Sequence, residues 1–288
     1  MHKEACKVQA SGKARGIIAL DLDGTLLDSQ KELSDRNLQA LQKAHDEGWE
    51  IVPTTGRFYN GMPQAIRDLP FVRYAITING AIAEDVTTGE VIYEAKLPWQ
   101  QAVDIMKWLD DKDVIYDCYM NSHGWMTASQ KEMIDDLVEN VHSRKMLHDL
   151  RNPVDELKAF LTEGQKDVQK VQFFVRDVDE RPQMMEELEE TFEGITVSCG
   201  LPQNVEINQT RANKGEALLA LADHLGLERA QTVAFGDGLN DLPMVRAAGI
   251  GIAMENGAEE TKAAADWIAP SCDEDGVAAG IEKFCLGR

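Results

Sequence analysis

The sequence predicts an α/β chain: a doubly wound parallel sheet core with a second, smaller α/β module inserted into it. Three observations carry this expectation. Short apolar runs alternate with helical stretches over residues 16–80, the rhythm changes between about 84 and 201, and the first rhythm returns from 214 onward. Strand–helix alternation of the first kind marks a parallel sheet with helices on its faces. A chain of 288 residues has room for roughly two domains at about 150 residues each.

The opening "MHKEACKVQASGKAR" (1–15) has basic residues but no apolar centre. It reads as a disordered tail rather than a secretory signal. "GIIALDLD" (16–23) reads as a strand bounded by turn residues. "SDRNLQALQKAHDEG" (34–48) predicts a helix capped by Ser34, with Leu38 and Leu41 on one face and Gly48 ending it. "WEIVPTTGR" (49–57) is a second strand with a polar turn beyond it, residues 57–69 read as helical, and "YAITING" (74–80) is a third strand.

Beyond these, "AIAEDVTTGEVIYEAKL" (81–97) predicts a hairpin turning at "TTGE", and Pro98 opens a helix. "VIYDCYM" and "GWMTAS" read as strands, 130–150 and 153–163 as helices, "VQKVQFFVRD" as a strand, "RPQMMEELEETFEG" as a helix and "ITVSCG" as a strand. From "KGEALLALADHLG" (214–226) helices alternate again with "TVAFGD", "GIGIAM" and "DWIAP". The expected division is a split, Rossmann-like core of residues 16–83 and 202–288 around an insert of residues 84–201.

Composition narrows the function classes. Hydrophobic content of 43% supports a packed core. The 50 acidic residues outnumber 29 basic ones, giving a formal charge of −21. That balance argues against nucleic acid, whose phosphates need clustered Lys and Arg, and against an anionic membrane surface. The charge reads as solubility, so a phosphate substrate would need a locally positive pocket. Five scattered cysteines without zinc spacing point to a reducing, cytoplasmic setting. No apolar stretch approaches the 18 residues of a membrane span.

Polar clusters follow three core strands: Asp21 and Asp23; Thr54, Thr55 and Gly56; and Asp237, Asn240 and Asp241. In an open parallel sheet, ligands bind at the carboxyl ends of the strands. Several carboxylates in one place repel unless some are protonated or a cation lies among them. Oxygen ligands with water suit Mg²⁺. "DLDGTLLDSQKE" also has oxygens at calcium-loop spacing. However, Leu26 stands where that loop needs Gly, and a strand precedes it. Asp21 and Asp23 as simple turn caps would leave the other two clusters unexplained.

"DLDGT" (21–25), "TTGR" (54–57), "NKG" (213–215) and "GDGLND" (236–241), in this order, resemble the four motifs of the haloacid dehalogenase superfamily. The insert between the second and third, together with "ITINGA" (76–81) and residues 251–281, resembles its Cof-type branch, which carries an α/β cap there. The resemblance implies a phosphatase for small phosphorylated metabolites, sugar phosphates or similar. Asp21 would be the nucleophile and Asp23 the general acid and then base. Mg²⁺ would be held by Asp21, the Asp23 carbonyl and Asp237, with Asp241 as an outer or auxiliary ligand. Lys214, the Thr55 hydroxyl, the Gly56 and Leu22 amides and the Asn240 side chain would meet phosphate. Arg57 and Asn79 are further substrate-contact candidates, as are His123 and Trp125 on the "YMNSHGWMT" loop (119–127) of the cap. Thr54 and Pro53 depart from the family pattern without removing a catalytic group. A phosphomutase of the same superfamily and a non-catalytic phospho-ligand regulator are the alternative readings. As to assembly, a monomer or a homodimer is expected.

Overall fold

The structure is a computed structural model that describes residues 14–199 and 203–286. A five-stranded parallel sheet uses β1 (Gly16–Leu20), β2 (Trp49–Pro53), β12 (Thr232–Gly236), β13 (Ile250–Met254) and β14 (Trp267–Ala269), in the order β14-β13-β12-β1-β2. The central strand β1 is apolar throughout and buried on both faces, as a parallel sheet flanked by helices requires. Ile18 and Leu20 pack with helices Asp35–Asp46 and Gly276–Phe284 through Leu41, Ala44, Val277 and Ile281. Ile17 and Ala19 face the other way, onto Leu218 and Leu221 of helix Lys214–His224 and onto Met244. The Ser34 side chain accepts the Asn37 N–H, and Gly48, at φ +93°, turns the chain into β2.

The third predicted strand departs from the parallel sheet. β3 (Tyr74–Thr77) pairs antiparallel with β4 (Ile82–Asp85), and β4 with β5 (Glu90–Glu94); a single parallel bridge, Thr54 to Ile76, joins them to β2. Asp85 organises the hairpin turn. One oxygen accepts from the Thr87 hydroxyl at 2.6 Å and the Thr87 and Thr88 amides, the other from Arg73 Nε at 2.9 Å. Burial disfavours its charge, but the Thr87 and Arg73 hydrogen bonds outweigh burial and hold the carboxyl below its usual range. Its stabilising contribution is therefore complete above the unfolded-chain value and is lost as pH falls through the folded one. Asp85→Ala is expected to cost about 2 kcal/mol at neutral pH. In urea melts the gap from the parent chain should shrink below about pH 4.

A six-stranded sheet holds β6 (Val114–Met120), β7 (His123–Thr127), β8 (Arg151–Val154), β9 (Lys170–Val175), β10 (Ile195–Ser198) and β11 (Asn204–Gln209), in the order β10-β11-β9-β6-β7-β8. One face is apolar: Cys118, Met120, Val171, Phe173, Val205 and Ile207 pack under Ile105, Met106, Leu161 and Leu188. By strand alternation the other face presents Asp117, Tyr119, Lys170, Gln172, Glu206 and Asn208, whose end turns toward the five-stranded sheet through contacts described below, and Ile115 and Phe174, which pack under Ile134, Leu137 and Leu147.

Local chemistry explains where the structure differs from expectation. Residues 57–69 form only short turns, Tyr59–Gly61 and Gln64–Arg67, because Pro63 forces Met62 out of the helical region. The stretch 130–150 breaks into three short helices, Ala128–Glu132, Ile134–Leu137 and Val141–Leu150. Residues 151–154 are an edge strand that tolerates Pro153, and the helix begins only at Leu157. β11 was not expected as a strand, and it joins the six-stranded sheet although 202 onward was assigned to the core. β4 runs across the expected 83/84 boundary. Of the expected tail, residues 1–13 lie outside the described residues, while Arg15 donates its N–H to the Gly48 carbonyl and pairs with Glu47.

Candidate active site

β1 and β12 end side by side, and Asp21 follows the first while Asp237 follows the second. The Asp21 N–H donates to the Phe235 carbonyl at 3.0 Å, extending the ladder to the nearly buried carboxylate. Gly24, at φ +94°, bends the chain immediately after; a Cβ there would lie 2.6 Å from Asp237 Oδ2. The Thr25 hydroxyl donates to Asp237 Oδ1 at 2.9 Å. Asp241 Oδ2 accepts the Asp237 and Gly238 amides at 3.0 and 2.9 Å, closing the "GDGLND" turn on itself.

Lys214 is the first residue of its helix and is completely buried. Its Nζ donates to Asp21 Oδ1 at 2.6 Å and to Asp241 Oδ1 at 2.5 Å. Burial disfavours its charge, but Asp21 and Asp241 outweigh burial and hold the ammonium above the ordinary lysine value. Oxygens of Asp21, Asp237 and Asp241 all lie within 4.8 Å of one another. Burial and the neighbouring Asp241 push the Asp21 carboxyl well up despite Lys214, and the same two causes raise Asp237. A single ammonium thus leaves three carboxylates under-compensated, and the donor set is all oxygen. Such a site fits a hard divalent cation.

Asp23 points to the side. Arg57 grips it with two hydrogen bonds, Nε to Oδ2 at 2.9 Å and Nη2 to Oδ1 at 3.0 Å, and Lys31 adds a contact at 3.1 Å. Burial raises its pKa, but Arg57 and Lys31 outweigh it and hold the carboxyl below its ordinary value. In the "TTGR" turn, Thr55 Oγ1 accepts the Arg57 N–H at 3.2 Å. Gly56 passes so close to Asn79 that a Cβ would lie 2.7 Å from its Oδ1. The Leu22 carbonyl accepts the Thr25 and Leu27 amides and turns the "DLDGT" loop. Asn240 is exposed at the rim and donates to Asn79 Oδ1 at 3.3 Å.

The structure thus gathers Asp21, Leu22, Asp23, Thr55, Gly56, Arg57, Asn79, Lys214, Asp237, Asn240 and Asp241 around one end of the sheet. It does not bring His123 and Trp125 there. Trp125 pairs across from Cys118, on the face opposite Tyr119, and stacks on Phe160 at 4.9 Å. His123 is exposed at a hairpin turn, its Nδ1 on the Asn121 carbonyl at 2.8 Å. Four residues at the site were missed: Thr25, Lys31, Lys170 and Glu206. The last two carried a signal, since polar residues recur two apart in "KVQFF" and "NVEIN".

The sequence of residues 18–281 matches the model of the haloacid dehalogenase-like hydrolases. The chain belongs to this family. Phosphatase YwpJ of Bacillus subtilis is 31% identical over 279 residues, covering 91% of this chain and 97% of that protein. The 5-amino-6-(5-phospho-D-ribitylamino)uracil phosphatase YcsE of B. subtilis is 30% identical over 270 residues, covering 94% and 96%. Among solved structures, haloacid dehalogenase-like hydrolases from B. subtilis and Bacteroides thetaiotaomicron superpose with a TM-score of 0.79 each, at 27% and 29% identity, each covering 93% of this chain and 99% of the other. This haloacid dehalogenase-like hydrolase therefore has the parallel-sheet core of its relatives, and its six-stranded sheet is the cap. Among the described residues, no helix is long and apolar enough to cross a membrane.

Proposed function

We propose that this hydrolase is a Mg²⁺-dependent phosphatase of small phosphorylated metabolites, sugar phosphates or similar, working through an aspartyl-phosphate. The observation that carries the reading is Lys214, buried between Asp21 and Asp241 at the end of the sheet. A cation so placed favours the ionised form of Asp21 against burial and Asp241, orients its oxygen for attack, and meets the oxygens of an incoming phosphate. Asp21 and Asp237, with the Asp23 carbonyl, would hold Mg²⁺, which when bound supplies positive charge against the phosphate oxygens. Both oxygens of Asp241 are engaged, by Lys214 and by the turn amides. That supports a role in positioning Lys214 and Asp237.

In the first half-reaction an Asp21 oxygen bonds to phosphorus and the P–O ester bond breaks. The departing oxygen takes a proton from Asp23. Arg57 holds Asp23 ionised in the free chain, but an arriving phosphate adds negative charge beside it and favours its protonated form. In the second half, Asp23 accepts a proton from water, and the water oxygen displaces Asp21 from phosphorus. Thr55, Gly56, Leu22 and Asn240 would cradle the phosphate oxygens, with amide and hydroxyl donors lowering the cost of the charge developed there.

The name of YcsE covers a ribityl-aminouracil phosphate, and that of a further relative, the pyridoxal phosphate phosphatase YbhA of Escherichia coli, 26% identical over 276 residues, covers pyridoxal phosphate. Both belong in a phosphate-release panel with hexose phosphates, nucleotides and flavin mononucleotide, ranked by kcat/KM. Chelation with EDTA is expected to abolish release, and excess MgCl₂ to restore it. Unchanged rates in EDTA would remove the metal from the scheme. No hydrolysis anywhere in the panel would favour a phospho-ligand regulator.

A further inference from the structure

The contacts between the polar face of the cap sheet and the phosphate-binding turns converge on one carboxylate, Glu206 of β11. Its Oε2 accepts from Asn79 Nδ2 at 2.5 Å, and the same nitrogen reaches Asn208 Oδ1 on β11 at 3.5 Å. Its Oε1 accepts from Lys170 Nζ at 2.8 Å and from Asn204 Nδ2 at 3.2 Å. Two of these partners continue inward. Asn79 Oδ1 accepts from Asn240 and abuts Gly56. Lys170, itself buried, donates a second hydrogen bond to the Gly56 carbonyl at 3.3 Å and lies 4.3 Å over the Tyr119 ring. Gly56 and Asn240 are the two cradle residues that these links reach.

The backbone that presents Asn79 is strained. Ile78, Asn79 and Gly80 are all left-handed, at φ 54°, 56° and 87°. For a β-branched residue such a conformation costs on the order of 1–3 kcal/mol and persists only where its surroundings enforce it. Here the Ile78 N–H donates to the Arg57 carbonyl and the Asn79 N–H to the Thr55 carbonyl. A Cβ on Gly80 would lie 2.3 Å from the Asn213 carbonyl. The turn is wedged between "TTGR" and the residue before Lys214. Its effect is to hold one amide side chain with its nitrogen toward the cap and its oxygen toward the cradle.

The geometry points to Glu206 as a positioning residue for the reaction proposed above: through Asn79 and Lys170 it sets Asn240 and Gly56, so the cradle is complete only with the cap sheet in place. This rests on the phosphatase reading. A carboxylate suits the position because it accepts only and has two oxygens. One group then fixes both the sense of the Asn79 amide and the place of the Lys170 ammonium.

The test uses the full chain and two variants, Glu206→Gln and Asn79→Gly. Glycine retains the left-handed backbone at no steric cost while deleting the amide. Each is expected to lower kcat by about tenfold to a hundredfold, with KM within about threefold of the parent. The double variant should be no slower than the slower single, since both cut one linkage. Parental kcat in the single variants, losses that multiply in the double, or a change confined to KM would each overturn the role. So would melting temperatures that fall in step with kcat. Binding of orthovanadate, which becomes five-coordinate like the transferring phosphoryl group when an enzyme oxygen adds to it, is measured by calorimetry with MgCl₂. It separates this inference from the reading beneath it. If the parent binds vanadate but hydrolyses nothing, the phosphatase reading fails. Glu206 is then still judged by whether Glu206→Gln weakens vanadate about tenfold, as expected, or leaves it unchanged, which overturns the role.

Discussion

Asp21→Asn is expected to lower phosphate release by about 10⁴-fold or more, while leaving the metal-free protein at least as resistant to heat as the parent. The two halves have one cause. In the proposed reaction Asp21 supplies the attacking oxygen, and an amide cannot take its place. In the free chain, however, the ionised form of Asp21 is disfavoured by burial and by Asp241. Asparagine has the shape of the protonated form and brings no charge, so it relieves the repulsion among three clustered carboxylates. Groups arranged for chemistry commonly reduce stability in this way. Melting temperatures in EDTA, read beside single-turnover rates, check both halves. Retention of most activity would remove Asp21 as nucleophile, and a marked loss of stability would contradict the charge balance described.

Lys214→Met carries the opposite sign for stability. It removes the ammonium that contacts both Asp21 and Asp241 and leaves the stem volume in place. Breaking a buried pair costs about 3–5 kcal/mol because the abandoned charge stays buried. The loss should be greatest at high pH. It should shrink as pH falls and the abandoned carboxylates, whose ionised forms burial and crowding already oppose, take up protons. Kcat should fall by about 10²–10³ as phosphate loses a charged donor. A divalent cation should raise the melting temperature of this variant more than that of the parent. A variant that melts like the parent at pH 8 would show that Lys214 is not the counter-charge of the cluster.

Much of the core site was legible in the sequence because its residues sit where strands end. An apolar run followed at once by a carboxylate is visible in "GIIALD" and in "TVAFGD", and strand order then delivers both to one edge. The capped helix at 34–48 was legible for a similar reason, since the signals for starting and stopping it are local. What could not be read depends on register. Lys170 and Glu206 each look like a solvated charge in a strand. Only the pairing of β9 with β11, and the packing of that sheet on the core, sets them beside Gly56 and Asn79. Trp125 shows the same limit from the other side: one position along a strand decides which face a residue takes, and its pairing with Cys118 turned it to the helices. The shortened helix after "TTGR" and the edge strand at 151–154 were lost to prolines whose effect outweighed the hydrophobic pattern.

The two unlike faces of the cap sheet bear on how the enzyme responds to temperature. The face against the helices is apolar, so unfolding the cap exposes hydrocarbon and carries a large heat-capacity change. The face against the core meets it through hydrogen bonds and an ion pair, at Lys170, Glu206 and Asn79, beside a small apolar cluster in which Tyr119 and Leu150 join Phe58, Ile78 and Ile82. Separating those polar groups exchanges protein partners for water at a net cost of only about 1 kcal/mol per hydrogen bond. Parting the cap from the core would therefore expose less hydrocarbon than unfolding the cap, and should carry a smaller heat-capacity change. The cap sheet is thus held to its own helices chiefly by hydrocarbon burial and to the core in larger part by polar contacts, so the two attachments should weaken differently as temperature changes.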